Sequence, residues 1–144
     1  MPDQAASATP EPAGKLRPED IRKSFHAEAD TENLSSFSDG DIDALADAAG
    51  ELAKDFSGPD SRVRVRDAKG EGGEALGSCV LEAVSLDKPF LVDSLLGLCA
   101  EFGFEVQALF HPILETDRGV RLSIIQVHIP ALSSHECRML KDEA

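Results

Sequence analysis

Between Val84 and Pro112 the sequence VSLDKPFLVDSLLGLCAEFGFEVQALFHP changes its hydrophobic period twice within 29 residues. Upstream, Leu81, Ala83 and Ser85 alternate with Val80, Glu82 and Val84, a period of two that suits a strand buried on at least one face. Asp87-Lys88-Pro89 stops it. Proline brings no N–H to a sheet ladder, but its fixed φ suits the first turn of a helix. Asp87 adds a carboxylate near the positive end of that helix. Leu91, Leu95, Leu98 and Phe102 then recur at helical spacing and form one apolar stripe, which Gly103 is placed to cap. From Phe104 to Phe110 the period returns to two, which predicts a second strand.

Further on, Arg118-Gly119 marks the tip of a hairpin between HPILETD and VRLSIIQVHIP. Pro130 ends the latter strand. Ser133, three residues before Glu136, then resembles a capped helix start. The chain is therefore predicted to be α+β, with a ferredoxin-like β-α-β-β-α order whose last strand is missing, preceded by two N-terminal helices. Its end at Ala144 points to a piece of a longer protein. The alternative is a substitute strand from the N-terminal part, for which Arg62-Val63-Arg64-Val65-Arg66 is the candidate.

Residues 1–15 are rich in Ala, Pro and small polar residues without periodicity, which predicts a disordered tail. Residues 16–60 form a helical segment. A short helix begins at Pro18, with Ile21 and Phe25 one turn apart. A clearer one opens on a capping box at Ser38 and Asp41, continues through Ile42, Leu45, Ala49, Leu52 and Phe56, and is stopped by Gly58-Pro59. Residues 61–75 supply a short strand and a Gly-rich connector, and residues 76–144 the α+β domain.

The chain is globular at 42% apolar residues, lacks Trp and Tyr, and carries a net charge of −13. Residues 1–60 hold fourteen acidic and five basic side chains, a net of −9. Nucleic acid and anionic lipid both reward clustered Lys and Arg, so neither is an expected partner. No apolar run is long enough to span a membrane. Cys79, Cys99 and Cys137 show no CxxC spacing, which fits small apolar packing residues in a reducing cytoplasm.

Candidate chemistry is sparse. KGEGGE lacks the GK[ST] ending of a phosphate loop and carries two repelling glutamates. His111, His128 and His135 have no convincing further zinc ligand. Ser94 with His111 and an aspartate has no nucleophile elbow. Asp41 and Asp43 occupy a helix start, where they complement the dipole. No catalytic residue and no metal site is expected. The remaining candidate is the turn Asp87-Lys88-Pro89-Phe90-Leu91, where N–H groups at a helix N-terminus can receive a carboxylate or phosphate.

The segment DKPFLVDS (Asp87–Ser94), the pair His111-Pro112 and the pair His128-Ile129 together resemble the N-terminal region of the large bacterial NAD-dependent glutamate dehydrogenases. The resemblance covers roughly residues 16 to 144 and is strongest from Val80 to Ile129. It implies an ACT-like domain of a very long homo-oligomeric enzyme that oxidatively deaminates L-glutamate to 2-oxoglutarate and ammonia. NAD is implied for that full-length enzyme, with its dinucleotide fold and catalytic lysine far downstream, and no cofactor for these 144 residues. Implied partners are the downstream domains and sister subunits. ACT domains commonly hold amino acids at the loop after their first strand, typically with a glycine following the proline, and Phe90 stands in that place here. The chain is thus expected to be a non-catalytic regulatory or assembly module in the cytoplasm, with a possible amino-acid effector at residues 87–91. The alternative is a free-standing ACT-like amino-acid-binding or dimerisation protein; a small hydrolase or metalloenzyme is a distant third. An unfinished sheet would leave an open edge and favour self-association.

Overall fold

The computed structural model of the chain describes residues 13–31, 37–57, 61–87, 91–130 and 136. Two helices come first, α1 (Pro18–Thr31) and α2 (Asp39–Ala53). β1 (Arg62–Lys69), β2 (Ala75–Leu86), α3 (Leu91–Glu101), β3 (Ala108–Phe110), β4 (Ile113–Glu115) and β5 (Arg121–Pro130) follow. No helix among the described residues is long and apolar enough to cross a membrane.

α2 starts as its sequence dictates. Ser38 Oγ accepts from Asp41 N at 3.1 Å, and the Asp41 carboxylate accepts from Ser38 N at 3.2 Å. Two otherwise orphaned N–H groups are thereby satisfied. The helix ends at Ala53, before the predicted stop at Gly58-Pro59, which lies outside the described residues. Its end comes early because Asp55 turns left-handed (φ 56°), while Phe56 folds back into the core and bonds to Ala53 O. α1 and α2 pack antiparallel, since Arg22 meets Asp47 and His26 meets Asp43.

α3 ends in a Schellman motif. Gly103 (φ +77°) donates to Ala100 O and Phe104 donates to Cys99 O, so two terminal carbonyls are satisfied. This closure occupies Phe104, whose ring stacks on Phe102 at 5.8 Å. Sheet pairing therefore begins only with Gln107 N, bonded to His128 O, and β3 is shorter than the predicted strand. At the other hairpin the predicted tip is present: Gly119 N donates to Thr116 O, and Thr116 N to Val120 O.

The sheet is antiparallel throughout, in the order β1-β2-β5-β3, with β4 continuing along β5 beyond Pro112. β2, α3, β3 and β5 thus form the split βαβ, with β5 inserted between the two strands that α3 connects. No strand after β5 is described, and the predicted helix start at Ser133 lies outside the described residues. The seat beside β2 is taken by β1, paired from Arg62↔Val84 to Lys69↔Ala75. The Arg-Val-Arg-Val-Arg segment is the substitute strand, and the expectation of an open edge on β2 is corrected. A two-strand meander closed by the Gly70–Glu74 turn costs little chain entropy, so this neighbour is readily available.

Both sheet faces are covered. Val84, Leu122, Ile124 and Phe110 pack against α1 and α2, where Phe25 stacks on Phe110 at 4.8 Å. Cys79, Leu81, Ile125, Val127 and Ile129 pack against Leu95 and Cys99 of α3. Burial pushes the Cys99 thiol upward, which keeps it in its unreactive form. β2 and β5 are consequently buried on both sides and read as nearly continuous apolar runs.

Candidate functional site

β2 ends at Leu86, and Asp87 opens the segment Asp87–Leu91 singled out in the sequence. Asp87 N donates to Arg121 O at 3.1 Å, and its carboxylate lies 3.5 Å from the Arg121 guanidinium. Leu91 packs into the α3-side core. Lys88, Pro89 and Phe90 lie outside the described residues. Beside the turn is His111, which follows β3. Its Nε2 lies 2.7 Å from Ser123 Oγ and its backbone N donates to Glu28 of α1 at 2.7 Å. Burial lowers the His111 pKa, and the nearby Asp87 charge partly opposes that. Three strand ends therefore bring Asp87, His111, Ser123 and Arg121 together at the edge of the turn.

This arrangement supplies hydrogen-bonding groups of both kinds but no evident nucleophile. Ser123 is buried, and Ser94 lies on the exposed side of α3. Nor do His111 and His128 converge, and His135 lies outside the described residues. His111 bonds on the α3 face through Ser123, whereas His128 lies on the α1–α2 face against Phe37 and Phe110. The pleat sends odd and even positions of β5 to opposite faces, so pairing of their strands cannot bring the two rings together. Among the described residues no group of three His, Cys, Asp or Glu side chains could hold a metal ion.

A second polar constellation lies between the sheet and α2. Glu82 on β2 is 1% exposed, in register with Arg64 of β1 on one side and Gln126 of β5 on the other. Its Oε1 accepts from Arg64 Nε at 3.0 Å and Arg66 Nε at 2.7 Å, and its Oε2 from Gln126 Nε2 at 2.9 Å. Gln126 also donates to Leu45 O, and Arg64 to Ala48 O, so the network fastens α2 to the sheet. Arg62, lying over the Phe56 ring, donates to Leu52 O and Lys54 O and serves the negative end of α2. A carboxylate so enclosed is tolerated only because several donors replace its water.

The alternate arginines of β1 were visible in the sequence, but their shared partner was not. The available signal was Gln126 and His128 inside the apolar run SIIQVHIP, since polar residues in a strand buried on both faces need buried partners.

Comparison with known families accords with this architecture. A family model described as glutamate dehydrogenase, ACT1 domain, matches residues 21–141. The chain belongs to this family. The ACT1 match opens within α1 and takes in α2, β1 and the rest of the sheet, so the parts joined by the Glu82 network fall inside one matched span. No curated protein matches the ACT1 chain significantly.

Proposed function

We propose that this ACT1 domain is the N-terminal regulatory and assembly module of a large NAD-dependent glutamate dehydrogenase of the bacterial type. The parent enzyme would deaminate L-glutamate oxidatively to 2-oxoglutarate and ammonia in the cytoplasm, with NAD bound by other domains. In this chain the work is recognition and packing against downstream domains and sister subunits. The family match carries this reading. Support for an effector role comes from Asp87, four residues before α3 begins at Leu91, where Arg121 and His111 meet its carboxylate. A zwitterionic amino acid could place its carboxylate at the helix N-terminus and its ammonium on Asp87.

Two measurements test the proposal. The purified 144-residue chain, given L-glutamate and NAD, is expected to form no NADH; turnover would overturn the assignment of catalysis to other domains. Calorimetric titration with L-glutamate and other amino acids is expected to give heat that Lys88→Glu diminishes. Silence with every amino acid would remove the effector role and leave assembly alone.

A second reading is favoured by one observation. Because β1 fills the seat beside β2, the sheet needs no further strand there, as suits a free-standing ACT-like amino-acid-binding or dimerisation protein. A gene whose reading frame continues after Ala144 into a dehydrogenase would exclude it.

A further inference from the structure

Ala13 to Leu16, the segment that leads into α1, is fastened at two distant points of the chain. Ala13 N donates to Phe56 O at 2.9 Å, just past the end of α2. Its own carbonyl accepts from Thr116 Oγ1 at 2.7 Å, on the tip of the β4–β5 hairpin. Lys15 N then donates to Asp117 Oδ1 at 2.8 Å, and Asp117 N donates back to Lys15 O at 3.0 Å. Both sides are shaped for this contact. Gly14 is left-handed (φ +111°), and a Cβ there would meet Asp117 Oδ1 at 2.6 Å and Thr116 Oγ1 at 2.7 Å, so glycine lets the segment lie this close. The Thr116 hydroxyl accepts from Arg118 N and Val120 N, both at 3.2 Å, which leaves its single proton for Ala13 O.

Apolar packing adds little to this hold. Ala13 is buried and Leu16 half-buried against the α1–α2 core, while Lys15 is exposed. α1 is secured without the segment. Arg22 binds Asp47 through two bonds of 2.9 and 2.6 Å, His26 Nε2 lies 2.8 Å from Asp43 Oδ1, and Phe25 stacks on Phe110. The hairpin likewise closes on itself, through Gly119 N to Thr116 O and Thr116 N to Val120 O. A contact made of a few hydrogen bonds near the surface, between two parts that are each secured elsewhere, separates without unfolding either.

We propose that residues 13–16 form a releasable clasp over the hairpin tip, a conformational device that opens as a local unit while the helices and the sheet stay folded. Closed, it occupies the Thr116 hydroxyl, the Asp117 carboxylate and the Asp117 N–H. Open, it presents all three to solvent and frees the peptide bond between Lys15 and Leu16. The tip can therefore take another partner only when the clasp is open. The clasp is separate from the segment Asp87–Leu91 and does not depend on an effector there.

Trypsin reads the open state, because cleavage after Lys15 needs an extended segment free of these bonds and its rate follows the open population. Appearance of the 16–144 fragment is followed by mass spectrometry in the 144-residue chain, and amide exchange in β2 and β5 is measured on the same proteins. Asp117→Ala, at an exposed position, removes the acceptor of Lys15 N and should speed cleavage about tenfold. Gly14→Ala, with its Cβ against Thr116 and Asp117, should speed it at least as much. Asp117→Asn retains an acceptor oxygen and should stay within about threefold of wild type. Protection in β2 and β5 should be unchanged in all three. Cleavage of Asp117→Ala at the wild-type rate overturns the proposal, since the contact would then not hold the segment. So does loss of β2 and β5 protection in step with faster cleavage of Asp117→Ala, since the clasp would then open only with the whole fold.

Discussion

His128 should make the fold sensitive to acid, and replacing it should remove a defined part of that sensitivity. The imidazole is 0% exposed, with Nε2 lying 3.2 Å from Gln126 Oε1. Gln126 uses its Nε2 for Leu45 O and Glu82, so its Oε1 is left to accept and His128 Nε2 must carry the proton. Nδ1 then holds a lone pair with no hydrogen-bond partner. A proton there would gain no acceptor and would place a second cation near Arg66, beneath the rings of Phe37 and Phe110. Burial first, and the Arg66 charge second, lower its pKa from 6.5 to about 4. The unfolded chain therefore binds this proton more readily, so stability is fully present above the unfolded pKa and falls as pH drops toward the folded one. The loss attributable to His128 is about 2 kcal/mol by about pH 5 and about 3 kcal/mol by about pH 4. Urea unfolding of wild type and His128→Phe between about pH 7 and pH 4 measures it. The variant starts lower by about 1 kcal/mol because Gln126 Oε1 loses its donor, and its profile should be flatter by about 3 kcal/mol. Parallel profiles, or an NMR titration of His128 near its ordinary pKa in the folded chain, would refute the reasoning.

Two further outcomes follow from the same geometry. Glu82→Ala leaves Arg64 and Arg66 facing the interior without their carboxylate and Gln126 with Leu45 O as its remaining acceptor, and should destabilise by about 3 to 5 kcal/mol in chemical denaturation. Its first visible consequence in hydrogen exchange should be loss of protection in α2, which the network holds. Ser38→Ala removes one half of the α2 capping box and should cost about 1 kcal/mol, read as a small shift in melting temperature without loss of cooperativity.

The sequence carried most of the local architecture because its signals lie within a turn or two of one another. The capping box at Ser38 and Asp41, the Gly103 closure of α3 and the hairpin at Arg118-Gly119 each depend on neighbours, and each is found in place. Where a local pattern met a distant claim, the distant claim won. Phe56 has helical spacing with Leu52, yet it leaves α2 to enter the core, while Arg62 takes the carbonyls at the helix end. Phe104 and Val106 alternate like a strand, yet the Schellman closure uses the first of them and delays pairing. Of the predicted effector turn, Asp87 is placed beside groups that the sequence kept apart, Arg121 and His111, while Leu91 packs into the α3-side core.

What the chain alone settled was the succession of helices and strands and the alternation of faces within each, since both are set by backbone hydrogen bonding and side-chain period. Tertiary structure alone decided which strand sits beside β2, that α1 and α2 cover the face opposite α3, and that Glu82, Gln126 and two arginines, Arg64 and Arg66, converge. Those choices depend on contacts such as Gln126 to Leu45, 81 residues apart. Burial and charge compensation select such partners from the whole molecule, so no short window of sequence contains them.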